Sequence, residues 1–131
     1  MQNLMRYIPA PWPSVVVLAA VLYLTLSPMP LPPMALPEFN GWDKMAHFIM
    51  FGGLSICFVY DTRRMKHRSI TLPEVAVIIA CVTLLGGAIE LLQGTELINR
   101  SCDLSDFIAN AAGAVTFGFL GFFYNKKSQP K

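Results

Sequence analysis

From Val75 to Leu92 the chain runs through eighteen residues of which only Thr83 and Glu90 are polar. As a helix rising about 1.5 Å per residue, that stretch covers roughly 27 Å, close to the hydrocarbon thickness of a bilayer. The run ends in Glu90 and Gln93, a polar hairpin with Arg100, Asp103 and Asp106 follows, and a second apolar run opens with Asn110 one turn inside it. Ionisable groups at the edge of a membrane-length segment are costly to place and call for a structural or functional reason.

Other apolar blocks lie at Ser14–Leu26 and Lys44–Tyr60. Hydrophobic residues make up 54% of the 131-residue chain and charged residues 14%. So many long blocks cannot all be buried in one small globule, so the expected class is an all-α polytopic membrane protein. The expectation is a single domain over residues 1–131, a bundle of four transmembrane helices near 13–27, 43–60, 72–93 and 104–124. The first block is short for a bilayer, and the prolines directly after it favour an uncleaved helix over a signal peptide. A Pro-rich connection, 27–42, reads as an extended, semi-rigid loop along the membrane surface. Thr71, Pro73 and Glu74 read as a capping box with proline in the first turn of the third helix. The net charge of +2 is too small to suggest nucleic acid. Cys57, Cys81 and Cys102 make no disulfide framework.

The basic residues gather in a loop at 61–69, in the tail (Lys126, Lys127, Lys131) and weakly at Arg6. The positive-inside rule then predicts that both termini and the 61–69 loop are cytoplasmic. In that topology Asp43, Lys44 and His47 enter with the second helix, Glu90 and Gln93 leave with the third, and Asp103, Asp106 and Asn110 re-enter on one face of the fourth. His47, Glu90 and Asn110 thus fall at one depth near the outer surface.

Bland readings accompany each residue. Asp43 suits an N-cap; Asp103 as N-cap with Asp106 at the third helical position suits a capping arrangement complementary to the helix dipole. Lys44 suits a snorkelling residue, and Arg100 a loop charge or a partner of Glu90 or Asp106. His47 and Glu90 occupy no capping position and are desolvated without partners, so a helix-to-helix pair is their structural explanation. Gly52, Gly53, Gly113, Ala114 and Gly118 suit close helix contacts.

These residues resemble the VanZ-like family. The match is D-K-x-x-H at Asp43, Lys44 and His47, E-x-x-Q at Glu90 and Gln93, then Arg100, then D-x-x-D-x-x-x-N-x-x-G at Asp103, Asp106, Asn110 and Gly113. Order and spacing agree over roughly residues 40–120. The resemblance implies a small multi-pass protein of the bacterial cytoplasmic membrane, in a family named for a protein associated with resistance to the glycopeptide teicoplanin.

The expected function is an envelope-modifying or lipid-headgroup-binding protein with an outward-facing polar cleft between helices two, three and four. Its partners would be membrane lipids, with a cell-wall precursor or a glycopeptide as further candidates. His47, Glu90 and Asp106 are types able to transfer protons or to hold a divalent metal. Arg100 and Lys44 suit an anionic group; Asp43, Gln93, Asp103 and Asn110 complete the expected binding set. As an enzyme, the chain would be a hydrolase or transferase acting on a membrane-anchored substrate. The alternatives are a non-catalytic recognition or assembly surface, and a cluster that only holds the bundle together.

Overall fold

In the computed structural model, residues 7–27, 41–98 and 102–127 are described. They form four helices: α1 (Trp12–Leu26), α2 (Trp42–Lys66), α3 (Leu72–Gln93) and α4 (Leu104–Lys127). Among the described residues there is no strand. The helices α2, α3 and α4 are long and apolar enough to cross a membrane, whereas α1 has 15 residues. The chain is therefore an all-helical membrane protein. The Pro-rich connection expected along the membrane surface falls largely at 28–40, outside the described residues, as do Arg6, Arg100 and Lys131.

The helices alternate in direction, so the bundle has two chemically distinct ends. At one end lie the C-termini of α1 and α3 and the N-termini of α2 and α4; at the other, the reverse. Helix α2 packs against all three others, while α1 rests on α2 and α3 and makes no contact with α4 among the described residues. The tightest crossing joins α2 to α4. A Cβ added at Gly113 would lie 2.1 Å from the Phe48 carbonyl oxygen, so only glycine permits this backbone approach. About two turns further along α2, the Ser55 hydroxyl donates to the Ala114 carbonyl at 2.9 Å. Val21, Phe51, Leu54, Val82, Ile89 and Ala114 form the apolar core.

Two boundary expectations are corrected. The second helix does not stop near Tyr60; it continues to Lys66, so Asp61–Lys66 is helix and not loop. Loss of hydrophobicity marks where a helix leaves the apolar layer, not where its hydrogen-bond ladder ends. Arg63, Arg64 and Lys66 in the last turn complement the negative end of the helix dipole, and His67 terminates the helix in the left-handed region at φ 50°. Asp43 is not the N-cap of α2. Gly41 occupies that position, and Asp43 sits inside the first turn, where its charge still opposes the positive end of the dipole. The capping box at Thr71 and Glu74 is present, with the Thr71 N–H donating to Glu74 Oε2 at 2.8 Å and Pro73 in the first turn.

Candidate functional site

Three helix termini meet at one end of the bundle. Helix α2 brings Asp43, Lys44 and His47, α3 brings Glu90, and α4 brings Asp106 and Asn110, with Asp103 directly before it. The i, i+4 spacing puts Asp43 and His47 on one face of α2, and Asp106 and Asn110 likewise share a face of α4. His47, Glu90, Asp106 and Asn110 are buried, whereas Lys44, Asp43 and Asp103 form a more exposed rim.

The His47 ring is the hinge of the arrangement. Its plane lies nearly parallel to Phe51, with the ring centroids 6.4 Å apart. On one side, Nδ1 is 2.9 Å from Asn110 Oδ1 and 3.7 Å from Glu90 Oε1. With the amide oxygen as acceptor, Nδ1 carries the proton. The opposite nitrogen, Nε2, then presents its lone pair 3.8 Å from Asp43 Oδ1 and 4.0 Å from Asp106 Oδ2. A buried oxygen or nitrogen fixing one ring nitrogen while the other faces carboxylates is the orientation used by histidine bases and by metal-ligating histidines.

One donor atom from each of Asp43, His47 and Asp106 lies within 4.8 Å of the other two. A metal held by such atoms at roughly 2.0–2.2 Å needs them roughly 3.0–3.5 Å apart. His47 Nε2 stands 3.8 and 4.0 Å from the two carboxylate oxygens, so a bound ion would have to draw the three atoms closer together, and a nitrogen with two carboxylates is a donor set suited to a divalent cation.

The carboxylates outnumber the cations. Lys44 Nζ lies 3.2 Å from Asp106 Oδ1 and 3.4 Å from Asp103 Oδ2, linking α2 to the start of α4. Asp103 also accepts from the Ser105 N–H at 2.8 Å, the bond of an N-cap, as its sequence position led us to expect. The Ser105 hydroxyl and N–H, aided by the Lys44 ammonium, hold the Asp103 carboxyl below its ordinary range. Glu90 Oε2 receives only a long contact, 3.5 Å, from the Asp103 N–H. Glu90 Oε1 and Asn110 Nδ2 are buried with no hydrogen-bond partner among the described residues. Unmet buried polar atoms cost about 1–3 kcal/mol each, so the cluster is not a fully satisfied packing network.

Gln93 does not join this group. It is buried against α1, where Nε2 donates to the Thr25 carbonyl at 2.7 Å. That bond ties the ends of α1 and α3, a role that the E-x-x-Q spacing gave no means of anticipating.

Beside the cluster lies a feature the sequence reading missed. An apolar cavity of about 660 Å³ runs between α3 and α4, lined by Leu84, Gly87, Leu91, Leu104 and Phe107 and reaching Glu90 and Asp103. A Cβ at Gly87 would come within 3.2 Å of the Phe107 ring, so the glycine keeps this groove open beside the aromatic side. The available signal was Gly87, Glu90 and Leu91 at i, i+3 and i+4, one face of α3.

No curated protein and no solved structure shows significant similarity to the chain. The VanZ/LLP1 family profile, by contrast, matches residues 5–125 of the 131, a span that takes in the first three helices, all but the last two residues of α4 and the whole polar cluster, and the chain belongs to that family.

Proposed function

We propose that the polar end of the bundle receives the headgroup of a lipid-anchored molecule of the bacterial envelope. The observation that carries this reading is the shared wall of two environments: Glu90 and Asp103 belong both to the polar cluster and to the apolar groove between α3 and α4. A ligand with an apolar tail and a polar head meets both at once. Its tail lies along Leu84, Gly87 and Phe107, and its head reaches His47, Asp43 and Asp106. A divalent cation on those last three residues would let this carboxylate-rich end accept a phosphate-bearing headgroup. Arg100 adjoins the cluster in sequence but lies outside the described residues.

The reaction class that fits is hydrolysis or group transfer at the headgroup. His47 Nε2 acts as the base where no cation sits on it, the two being alternative uses of one lone pair; its ring is held by Asn110 and Phe51, and Glu90 stabilises the imidazolium formed when Nε2 takes a proton. Lys44 keeps one oxygen of Asp106 engaged and leaves the other towards His47. Membership in the family adds an association with teicoplanin, whose target is an outward-facing cell-wall precursor. The expected placement is the cytoplasmic membrane with both termini inside, which turns this cluster outwards.

Binding of tail-labelled lipids by the purified full chain tests the reading. With a divalent cation present, a polyprenyl diphosphate probe should bind saturably, and Asp43→Asn and Gly87→Leu should each weaken it, one through the head and the other through the tail. Equal binding by both variants and wild type would remove the proposal. In a susceptible bacterial host, expression of the wild type but not of His47→Ala should raise the inhibitory concentration of teicoplanin. Orientation is read at Cys102, which is exposed: a membrane-impermeant maleimide should label it in intact cells, and labelling only after lysis would place the cluster inside.

A second reading has its own observation. The Lys44 link to Asp103 and Asp106 closes α2 onto α4, as an assembly clamp would. On that reading, neutralising the cluster destabilises the bundle and leaves no ligand to find.

A further inference from the structure

At the opposite end of the bundle, the last turn of α2 opens on a cavity of about 610 Å³ whose lining includes Ala10, Tyr60, Arg63, Arg64, His67 and Arg68. Basic residues at a helix C-terminus and at a membrane surface have an ordinary explanation in the helix dipole and in topology. The charge pairing at this end goes beyond it. Only two acidic residues lie here, Asp61 and Glu74, and the terminal segments 1–6 and 128–131 contain no Asp or Glu. Asp61 is buried and accepts from the N–H and the hydroxyl of Ser14 at 2.9 and 2.6 Å. Glu74 is taken by Lys66 and Arg68.

Arg63 and Arg64 therefore have neutral partners among the described residues. Arg63 Nη1 donates to Asn125 Oδ1 at 2.7 Å, and Arg64 Nη2 donates to the Ile8 carbonyl at 2.6 Å. Arg64 Nη1 is buried with no acceptor among the described residues. Its guanidinium carbon sits 5.5 Å from the Tyr60 ring centroid, which orients the planar group. Two oriented guanidinium groups with donors to spare, beside a cavity, match the tetrahedral array of acceptors on a phosphate. The cavity also lies where α2 ends and α3 begins, the level at which a bilayer presents its phosphates.

We propose that this pocket binds the phosphate of an anionic phospholipid, with Arg63 and Arg64 as its ligands and Tyr60 holding Arg64 in place. The site is independent of the polar cluster at the other end and does not depend on the reading given for it. A lipid seated here would fix the end of α2 against the chain preceding α1 through Ala10 and the Ile8 carbonyl.

The test uses the full chain in phosphatidylcholine nanodiscs titrated with fluorescent phosphatidylglycerol, with inorganic phosphate as competitor. Binding should be saturable, and Arg63→Gln and Arg64→Gln should each weaken it about tenfold, the loss of one charge-assisted bidentate contact. Lys66→Gln removes the same charge from the same helix end but from a residue already paired with Glu74, and should weaken binding less than about twofold. Millimolar inorganic phosphate should not displace the lipid. Equal weakening by Lys66→Gln would reduce the effect to general surface charge and overturn the proposal. Displacement by phosphate would reassign the pocket to a soluble anion, and non-saturable binding would remove it. Helical circular dichroism of each variant separates loss of binding from loss of fold, and Arg64→Lys, which keeps charge without the fork, should fall between wild type and Arg64→Gln.

Discussion

The two ends of the bundle carry opposite charge and manage it differently. Counted along the chain, the α1–α2 and α3–α4 junctions with their adjoining helix ends hold six acidic and two basic residues; the termini and the α2–α3 junction hold two acidic and eight basic. At the basic end the buried carboxylate, Asp61, performs a structural task. It caps the start of α1 from a different helix, satisfying the Ser14 N–H that the helix itself leaves without a partner. At the acidic end the buried carboxylates exceed their donors, and Glu90 and Asn110 retain unmet polar atoms. At the basic end Asp61 Oδ1 and Arg64 Nη1 are likewise buried without a partner among the described residues, so the two ends differ in the sign of the charge they keep available. The packing differs too, because α2 and α4 pinch together at Gly113 and stand further apart near Gly121.

The largest effect tests that packing contrast. Gly113→Ala places a methyl 2.1 Å from the Phe48 oxygen and should cost on the order of 3 kcal/mol or prevent folding. Gly121→Ala meets only the Ile56 and Val59 side chains, at 3.1 and 3.2 Å, and should shift the melting temperature little. Comparable losses would mean that the two ends are packed alike.

Next in size is the contrast in carboxylate roles. Asp61→Ala strands the Ser14 N–H and should destabilise the chain by about 2 kcal/mol in detergent. Glu90→Gln and Asp106→Asn relieve a crowded, acid-rich site and should leave the melting temperature unchanged or raised, as neutralising a functional site commonly does. A clear drop in both would favour the assembly reading of the cluster.

The smallest effect is set by pH. The Asp103 carboxyl is held below its ordinary value of 3.8, so its contribution is complete above that value and is lost as pH falls through the lower folded-state one. Thermal melts from about pH 6 to about pH 3 should show a decline on the acid side that is smaller in Asp103→Asn, which keeps a capping oxygen but does not titrate. An identical decline in the two proteins would assign the acid sensitivity elsewhere.

Much of this architecture is written locally. Apolar runs of membrane length give α2, α3 and α4, and the Thr71, Pro73 and Glu74 pattern gives the start of α3, because each is decided by neighbours within a turn. His47, Glu90 and Asn110 also fall at one level for a reason legible in the sequence, since helices that alternate in direction bring their polar ends together. Other features depend on what faces what across the bundle. Asp61 looks like a loop charge until Ser14 of another helix is set against it. Gln93 belongs to the same motif as Glu90, yet three residues of helix turn it towards α1 and the Thr25 carbonyl. The apolar groove beside Glu90 exists only because Phe107 of α4 meets Gly87 of α3. Hydrophobicity and helix periodicity settle which segments are buried and how deep they lie. The rotation of each helix about its own axis is settled only by side chains meeting between helices, and that rotation decides which polar groups become partners and which remain available for a ligand.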